Sequence, residues 1–132
     1  MEVVRRIFSA FEAGLKSGNP LESFDLGSEF ATDAEWIAAP ETPGPTSFRG
    51  RDGFFEFMGT WTEDWEQWSL RLERLIDAGD GRVVAFVHQS AVGKASGAPV
   101  EAHTGVVFEL EEGRVIRMRN FLDPQQALEA AS

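Results

Sequence analysis

VVAFVHQSAVGKASGAPVEAHTGVVFEL, residues 83–110, reads as two β-strands joined by a turn. In its second half Ala102, Thr104, Val106, Phe108 and Leu110 alternate with Glu101, His103 and Glu109, the period of a strand with one buried face. The first half is apolar on both faces over much of its length. GKASGAP between them lacks a strand–loop–helix setting, so its glycines mark a hairpin turn and not a phosphate loop. A hairpin centred on Gly97 sets His88 opposite Val106 and Ala91 opposite His103. In that register His88 faces inward with Phe86 and Ser90, and His103 faces outward. A slip of one residue would bring both histidines to one face and is expected to put Glu109 in the core.

The pattern extends in both directions. WSLRLER alternates Trp68, Leu70 and Leu72 with Ser69, Arg71 and Glu73, and AGDGR turns the chain into the hairpin. EEG turns it again into RVIRMRNFL, the last strand. DPQQALEAA then opens a closing helix, with Asp123 as cap and Pro124 in the first position. Upstream, Val4, Ile7, Phe8, Phe11 and Leu15 recur at helical spacing. NPLE begins a short second helix, capped by Asn19. FATDAEWIAA reads as a strand and PETPGPTSFRG as a proline-rich loop. Phe54, Phe57, Met58, Trp61 and Trp65 form a third helical stripe. Helices grouped before a run of antiparallel strands predict an α+β domain, with three N-terminal helices packed in a strongly curved, mostly antiparallel sheet.

The 132 residues suit a single domain over 1–132. With no cysteine, disulfides and thiolate metal sites are excluded, and a reducing, cytoplasmic compartment fits. The formal net charge of −10 repels phosphate backbones, so neither nucleic acid nor an anionic membrane is an expected partner. MEVVRRIF starts an amphipathic pattern and does not read as a signal peptide. No apolar run is long enough to span a bilayer. Eleven Phe and four Trp without a Tyr suggest an interior lined with wide, non-hydrogen-bonding surface.

The element order, with DAEWIAAP, FRGRDGFFEFM, GKASGAPVE and EEGRVIRMRNFLDPQQALEAA, resembles the SnoaL-like branch of the NTF2-like superfamily over nearly the whole chain. The resemblance implies a cone-shaped α+β barrel around a deep apolar pocket, and a homodimer paired through the outer sheet face. It also implies a choice among functions, since the group includes ketosteroid isomerases, polyketide cyclases, limonene-epoxide hydrolases, dehydratases and non-catalytic binding domains.

Laid over the ketosteroid isomerase pattern, the base position falls at Ala38 or Ala39 and the donor positions at Ile7 and near Val106. None of these residues moves a proton. The hydrolase pattern needs an inward arginine, whereas Arg117 and Arg119 alternate with the apolar Ile116, Met118 and Leu122, the set that should face in, and should face outward. Asn120 is in phase with Met118 and can donate to a carbonyl or enolate, but it is no acid.

His88, turned inward, is the candidate proton-transfer residue, with Asn120 holding a substrate oxygen. Trp36, Phe57, Trp61, Phe86, Val106 and Met118 are the expected pocket lining. A core histidine satisfied by its neighbours explains His88 equally well. His103 and Glu101 make only two ligands, so no metal and no cofactor is expected. Asp33 either lines the pocket mouth or simply leads a strand, and Trp65 and Trp68 are expected in the wall where the third helix meets the sheet. Two readings stay open: an isomerase, cyclase or dehydratase acting on an apolar, carbonyl-bearing small molecule, and a non-catalytic ligand-binding or structural dimer of the same fold.

Overall fold

A computed structural model describes residues 3–9, 30–38, 47–50, 52–53, 56 and 65–131. Helix α1 covers residues 3–9. The strands are β1 (Phe30–Ile37), β2 (Ser47–Arg49), β3 (Trp65–Gly79), β4 (Arg82–Gly93), β5 (Pro99–Glu111) and β6 (Arg114–Phe121), and helix α2 (Pro124–Ala131) follows. One mixed sheet holds all six strands in the order β2-β1-β6-β5-β4-β3. Every pairing is antiparallel except β1 with β6.

Long strands need a means of bending. β3, β4 and β5 run for 15, 12 and 13 residues. The β3–β4 register shifts at three places, between Glu66 and Ser69, Leu72 and Arg74, and Asp77 and Gly79. Each such irregularity adds local twist and bends the strand, which suits a curved sheet.

Tight turns fix the meander. Gly79, Asp80 and Gly81 have φ of 82°, 54° and 76°, and Glu112 and Gly113 have φ of 53° and 77°. This is the left-handed region that two-residue hairpin turns require. Asp77 Oδ1 accepts from the Gly79 amide at 2.9 Å, a local bond that favours a turn over continued strand.

The two sheet faces bury different things. On the inner face Val83, Ala85, Val87, Val106, Phe108 and Val115 join Trp36, Phe30 and Ala34 in the main core, with Val4, Ile7 and Phe8 of α1. Phe8 meets Phe108 edge to face, ring centroids 5.7 Å apart. Each such side chain contributes about 1.5–3 kcal/mol when removed from water. On the outer face Val84 and Val107 pack with Ala127 and Ala131 of α2, and Phe86 and Phe121 lie beside them. This explains why β4 is apolar on both sides.

α2 starts as its sequence dictates. Asp123 Oδ1 accepts from the Gln125 amide at 2.9 Å, and Pro124 occupies the first turn, where no amide donor is needed. Its close seat depends on Gly105: a Cβ there would lie 2.6 Å from Ala127 Cβ and 3.0 Å from Pro124 Cα.

Four expectations are corrected. The hairpin of residues 83–110 pairs His88 with His103 and Ala91 with Val100, in each case three residues before the partner expected. The loop explains this. The Gly93 amide donates to Ala98 O at 3.1 Å and the Gly97 amide to Gly93 O at 2.8 Å. Gly97, with φ of 68°, therefore closes the turn instead of centring it. An odd shift exchanges faces, so His88 and Phe86 belong to the outer face, while Glu109 stays out of the core. Second, Trp65 begins β3 and does not extend a helical stripe. Third, the proline-rich segment contains β2, three residues paired with Glu35, Trp36 and Ile37. Fourth, Leu122 does not join the inward set of the last strand and is 48% exposed. The short second helix expected from NPLE lies outside the described residues, as do Phe54, Phe57, Met58 and Trp61 of the third.

Candidate functional site

On the inner face of the sheet, strand alternation sets polar groups among apolar ones. Gln89 follows Val83, Ala85 and Val87 in phase, and Thr104 precedes Val106 and Phe108. The Gln89 amide Nε2 donates to Thr104 Oγ1 at 2.8 Å. Thr104 is buried among an otherwise hydrophobic set. A buried hydroxyl needs its bonds satisfied. Here the hydroxyl oxygen accepts from Gln89, and the hydroxyl proton is its donor group.

Asn120 also lies on this face, opposite Val106 in the β5–β6 register. Its Nδ2 donates to Ile37 O at 2.9 Å. That bond ties the end of β6 to the end of β1, so the amide holds the parallel pair together. Trp36 is nearly fully buried, its ring 4.8 Å from that of Phe30. Its indole nitrogen donates to Gly50 O at 3.2 Å, the partner a buried tryptophan needs. Val106 and Met118 contribute to the same core. Ile7, Ala38 and Val106, the ketosteroid isomerase positions, are all buried and apolar.

His88 is not among them. It stands on the outer face, its ring stacked on that of His103 with centroids 4.7 Å apart and planes 29° apart. Its Nε2 lies 3.5 Å from Glu101 Oε1, and His103 Nδ1 lies 2.8 Å from Glu73 Oε1. The hydrogen bond from His103 is the largest cause holding the Glu73 carboxyl below its ordinary value. Imidazole and Asn120 are thus on opposite sides of the sheet and cannot act on one substrate atom. Phe86 is likewise outside, under α2.

The outer face also carries a charge network where β1, β6 and β5 meet. Arg117 donates from Nε to Glu35 Oε1 at 2.8 Å and from Nη1 to Glu109 Oε2 at 3.2 Å. Ser47 Oγ donates to Glu35 Oε2 at 2.9 Å. Arg117 first, then Ser47, hold the Glu35 carboxyl below the usual carboxylate range. Arg119 sits over the Phe121 ring, 5.4 Å from its centroid. Both arginines face out, as their alternation predicts. Asp33, exposed, offers its backbone oxygen to Arg49 Nη1 at 3.4 Å. Among the described residues no group of three or more His, Cys, Asp or Glu is placed to hold a metal ion, and no helix is long and apolar enough to cross a membrane.

Of the predicted lining, Trp36, Val106 and Met118 lie on the inner face, Phe86 does not, and Phe57 and Trp61 fall outside the described residues. Thr104 was legible from alternation. Gln89 was missed, and its signal is the odd-numbered phase it shares with Val83, Ala85 and Val87.

Among the described residues, a mixed sheet with helix α1 on its inner face and helix α2 on its outer face fits an α+β cone of the NTF2-like kind. The chain belongs to the SnoaL-like domain family, whose pattern matches residues 4–118. No curated protein matches the sequence. Among solved structures, an NTF2-like protein of unknown function from Burkholderia pseudomallei K96243 is 18% identical, over 100% of this chain and 96% of that one, with a TM-score of 0.74. A putative SnoaL-like polyketide cyclase from Jannaschia sp. CCS1 is 20% identical over 99% and 90%, TM-score 0.72. TerC, co-crystallised with polyporic acid, is 18% identical over 98% of both chains, TM-score 0.72. At these identities the likeness speaks for the fold.

Proposed function

We propose that this chain is a small-molecule-binding domain that holds an apolar, carbonyl-bearing ligand against the inner sheet face and orients it with neutral hydrogen bonds. The observation that carries this reading is the Gln89–Thr104 pair, 2.8 Å apart among hydrophobic residues. Glutamine fixes the threonine hydroxyl, whose proton then points to an acceptor oxygen on the ligand. Neither side chain changes charge near neutral pH, so the pair binds and orients but does not move protons. A proton-transfer role for His88 is not carried into this reading, since the ring faces away from the inner surface. Two proteins of the same fold support small-molecule binding: TerC with polyporic acid, and a ketosteroid-isomerase-like protein from Catenulispora acidiphila in complex with trimethylamine.

The test is binding of apolar ketones and quinones to the wild type and to Thr104→Val, which keeps the shape and removes the hydroxyl. Loss of one such hydrogen bond is expected to weaken binding about tenfold, roughly 1.4 kcal/mol. Equal affinity in the two proteins would remove the pair from recognition.

The family resemblance also leads us to propose a homodimer that pairs through the outer sheet face, in a reducing cytosol that the cysteine-free sequence fits. Sedimentation at micromolar concentration checks the dimer, and a monomer there rejects it.

A further inference from the structure

The alternation along β6 predicts Asn120 as a donor to a ligand oxygen. The structure turns the amide round. Its Nδ2 donates to Ile37 O at 2.9 Å, so the nitrogen end is directed at β1. β6 lies between β1 and β5. The two ends of a planar amide point apart, which leaves Oδ1 on the β5 side. An amide oxygen accepts and does not donate. Among the described residues Asn120 Oδ1 has no hydrogen-bond partner. Asn120 is half-buried, a setting in which an unmet acceptor is costly.

Thr104 stands one step away. Asn120 is in register with Val106, and Thr104 precedes Val106 by two residues on the same face. Such diagonal neighbours on adjoining strands lie about 7 Å apart. The Thr104 oxygen accepts from Gln89 Nε2 at 2.8 Å, and its proton is the donor group. The inner face of β5 and β6 therefore presents two neutral groups of opposite hydrogen-bonding sense. Val106 and Met118, beside them, belong to the hydrophobic core.

We infer that the ligand of this face carries a hydroxyl as well as a carbonyl, the carbonyl accepting from Thr104 and the hydroxyl donating to Asn120 Oδ1. The inference rests on the carbonyl-binding reading proposed above and adds the second polar group of the ligand. A neutral hydroxyl suits the place better than a charged group. An ammonium would lose its hydration among apolar side chains for a single neutral acceptor, and a carboxylate has no proton to give. Groups about 7 Å apart also suit two ligand oxygens separated by a ring or a short chain.

The experiment is calorimetric titration of the full chain at neutral pH with acetophenone, meta-hydroxyacetophenone and meta-methoxyacetophenone. The wild type is expected to bind the hydroxy ketone about tenfold more tightly than either of the others. Asn120→Leu, verified as folded by circular dichroism, should bind all three alike. Thr104→Val should weaken all three by one factor and keep the preference for the hydroxyl. In the wild type itself, the side-chain carbonyl carbon of Asn120 should shift in NMR spectra with the hydroxy ketone and stay in place with the methoxy ketone. Equal binding of the three ketones by the wild type overturns the hydroxyl and leaves the carbonyl reading standing. A preference that survives in Asn120→Leu, or an Asn120 signal that moves alike with both ketones, overturns the assignment to Asn120. A Thr104→Val protein that binds like the wild type overturns the carbonyl reading on which the inference rests. Absence of binding by the wild type overturns both.

Discussion

Asn120 and Ile37 are joined by a side-chain bond of 2.9 Å between residues 83 positions apart. The bond is part-buried and meets a backbone carbonyl at the end of β1. Asn120→Leu keeps the bulk and leaves that carbonyl unmet. The expected loss is about 1–3 kcal/mol of stability, read as a lowered urea midpoint with unchanged slope. An unaltered midpoint would mean that water replaces the amide freely.

The Glu35–Arg117–Glu109 network predicts a pH dependence of stability. Its central carboxyl is held below the ordinary carboxylate value by Arg117 and Ser47. Above that ordinary value the folded and unfolded chains both carry the charge, and the stabilisation is fully present. As pH falls through the lower, folded value, the native carboxylate must take up a proton and the stabilisation is lost. Glu35→Gln should therefore be less stable than wild type at pH 7, by about 1 kcal/mol or less given its surface position. The gap should close at the acid end. A gap independent of pH would assign the effect to something other than charge.

Gly105 predicts a steric effect. A methyl group there would press on Ala127 and Pro124, so Gly105→Ala should loosen α2 at a cost of about 1–3 kcal/mol. Gly105→Ala combined with Ala127→Gly should recover part of it. Failure of that rescue would place the strain in the β5 backbone instead.

Asp123→Ala removes the bond to the Gln125 amide. The expected cost is about 1 kcal/mol, and Asp123→Asn should recover most of it. Faster amide hydrogen exchange confined to the first turn of α2 is the matching local signature.

What could be read from the sequence depended on whether a strand's two faces differ. β5 alternates between apolar and polar residues, so Thr104, Val106 and Phe108 declared their side, and His103 declared the other. β4 has no such contrast, because α2 covers Val84 and Phe86 from outside while the core takes Val83, Ala85 and Val87. With parity silent, the face of His88 hung on the hairpin centre alone, and Gly97 proved to close that turn instead of marking its middle. The same silence hid Gln89. Asp123, Pro124 and the Asp80–Gly81 and Glu112–Gly113 turns were legible because their chemistry is local. β2 was not, since three residues after a proline-rich loop carry no period of their own.

The parallel pairing of β1 with β6 has a consequence for how the protein is made. The strands β3 to β6 follow one another through short turns and can zip up in the order in which they leave the ribosome. β1 leaves early, and its place in the sheet is beside a strand synthesised some eighty residues later, as the 82-residue separation of Glu35 and Arg117 records. Until then β1 has only the short β2 to pair with, and its inward Trp36 and Phe30 have no β6 to close against. Closing so long a loop is slow, and an unpaired apolar strand invites the wrong neighbour. The joining of β1 to β6 is thus the late event in assembly, and the nascent chain is most exposed to mispairing just before Arg114–Phe121 appears.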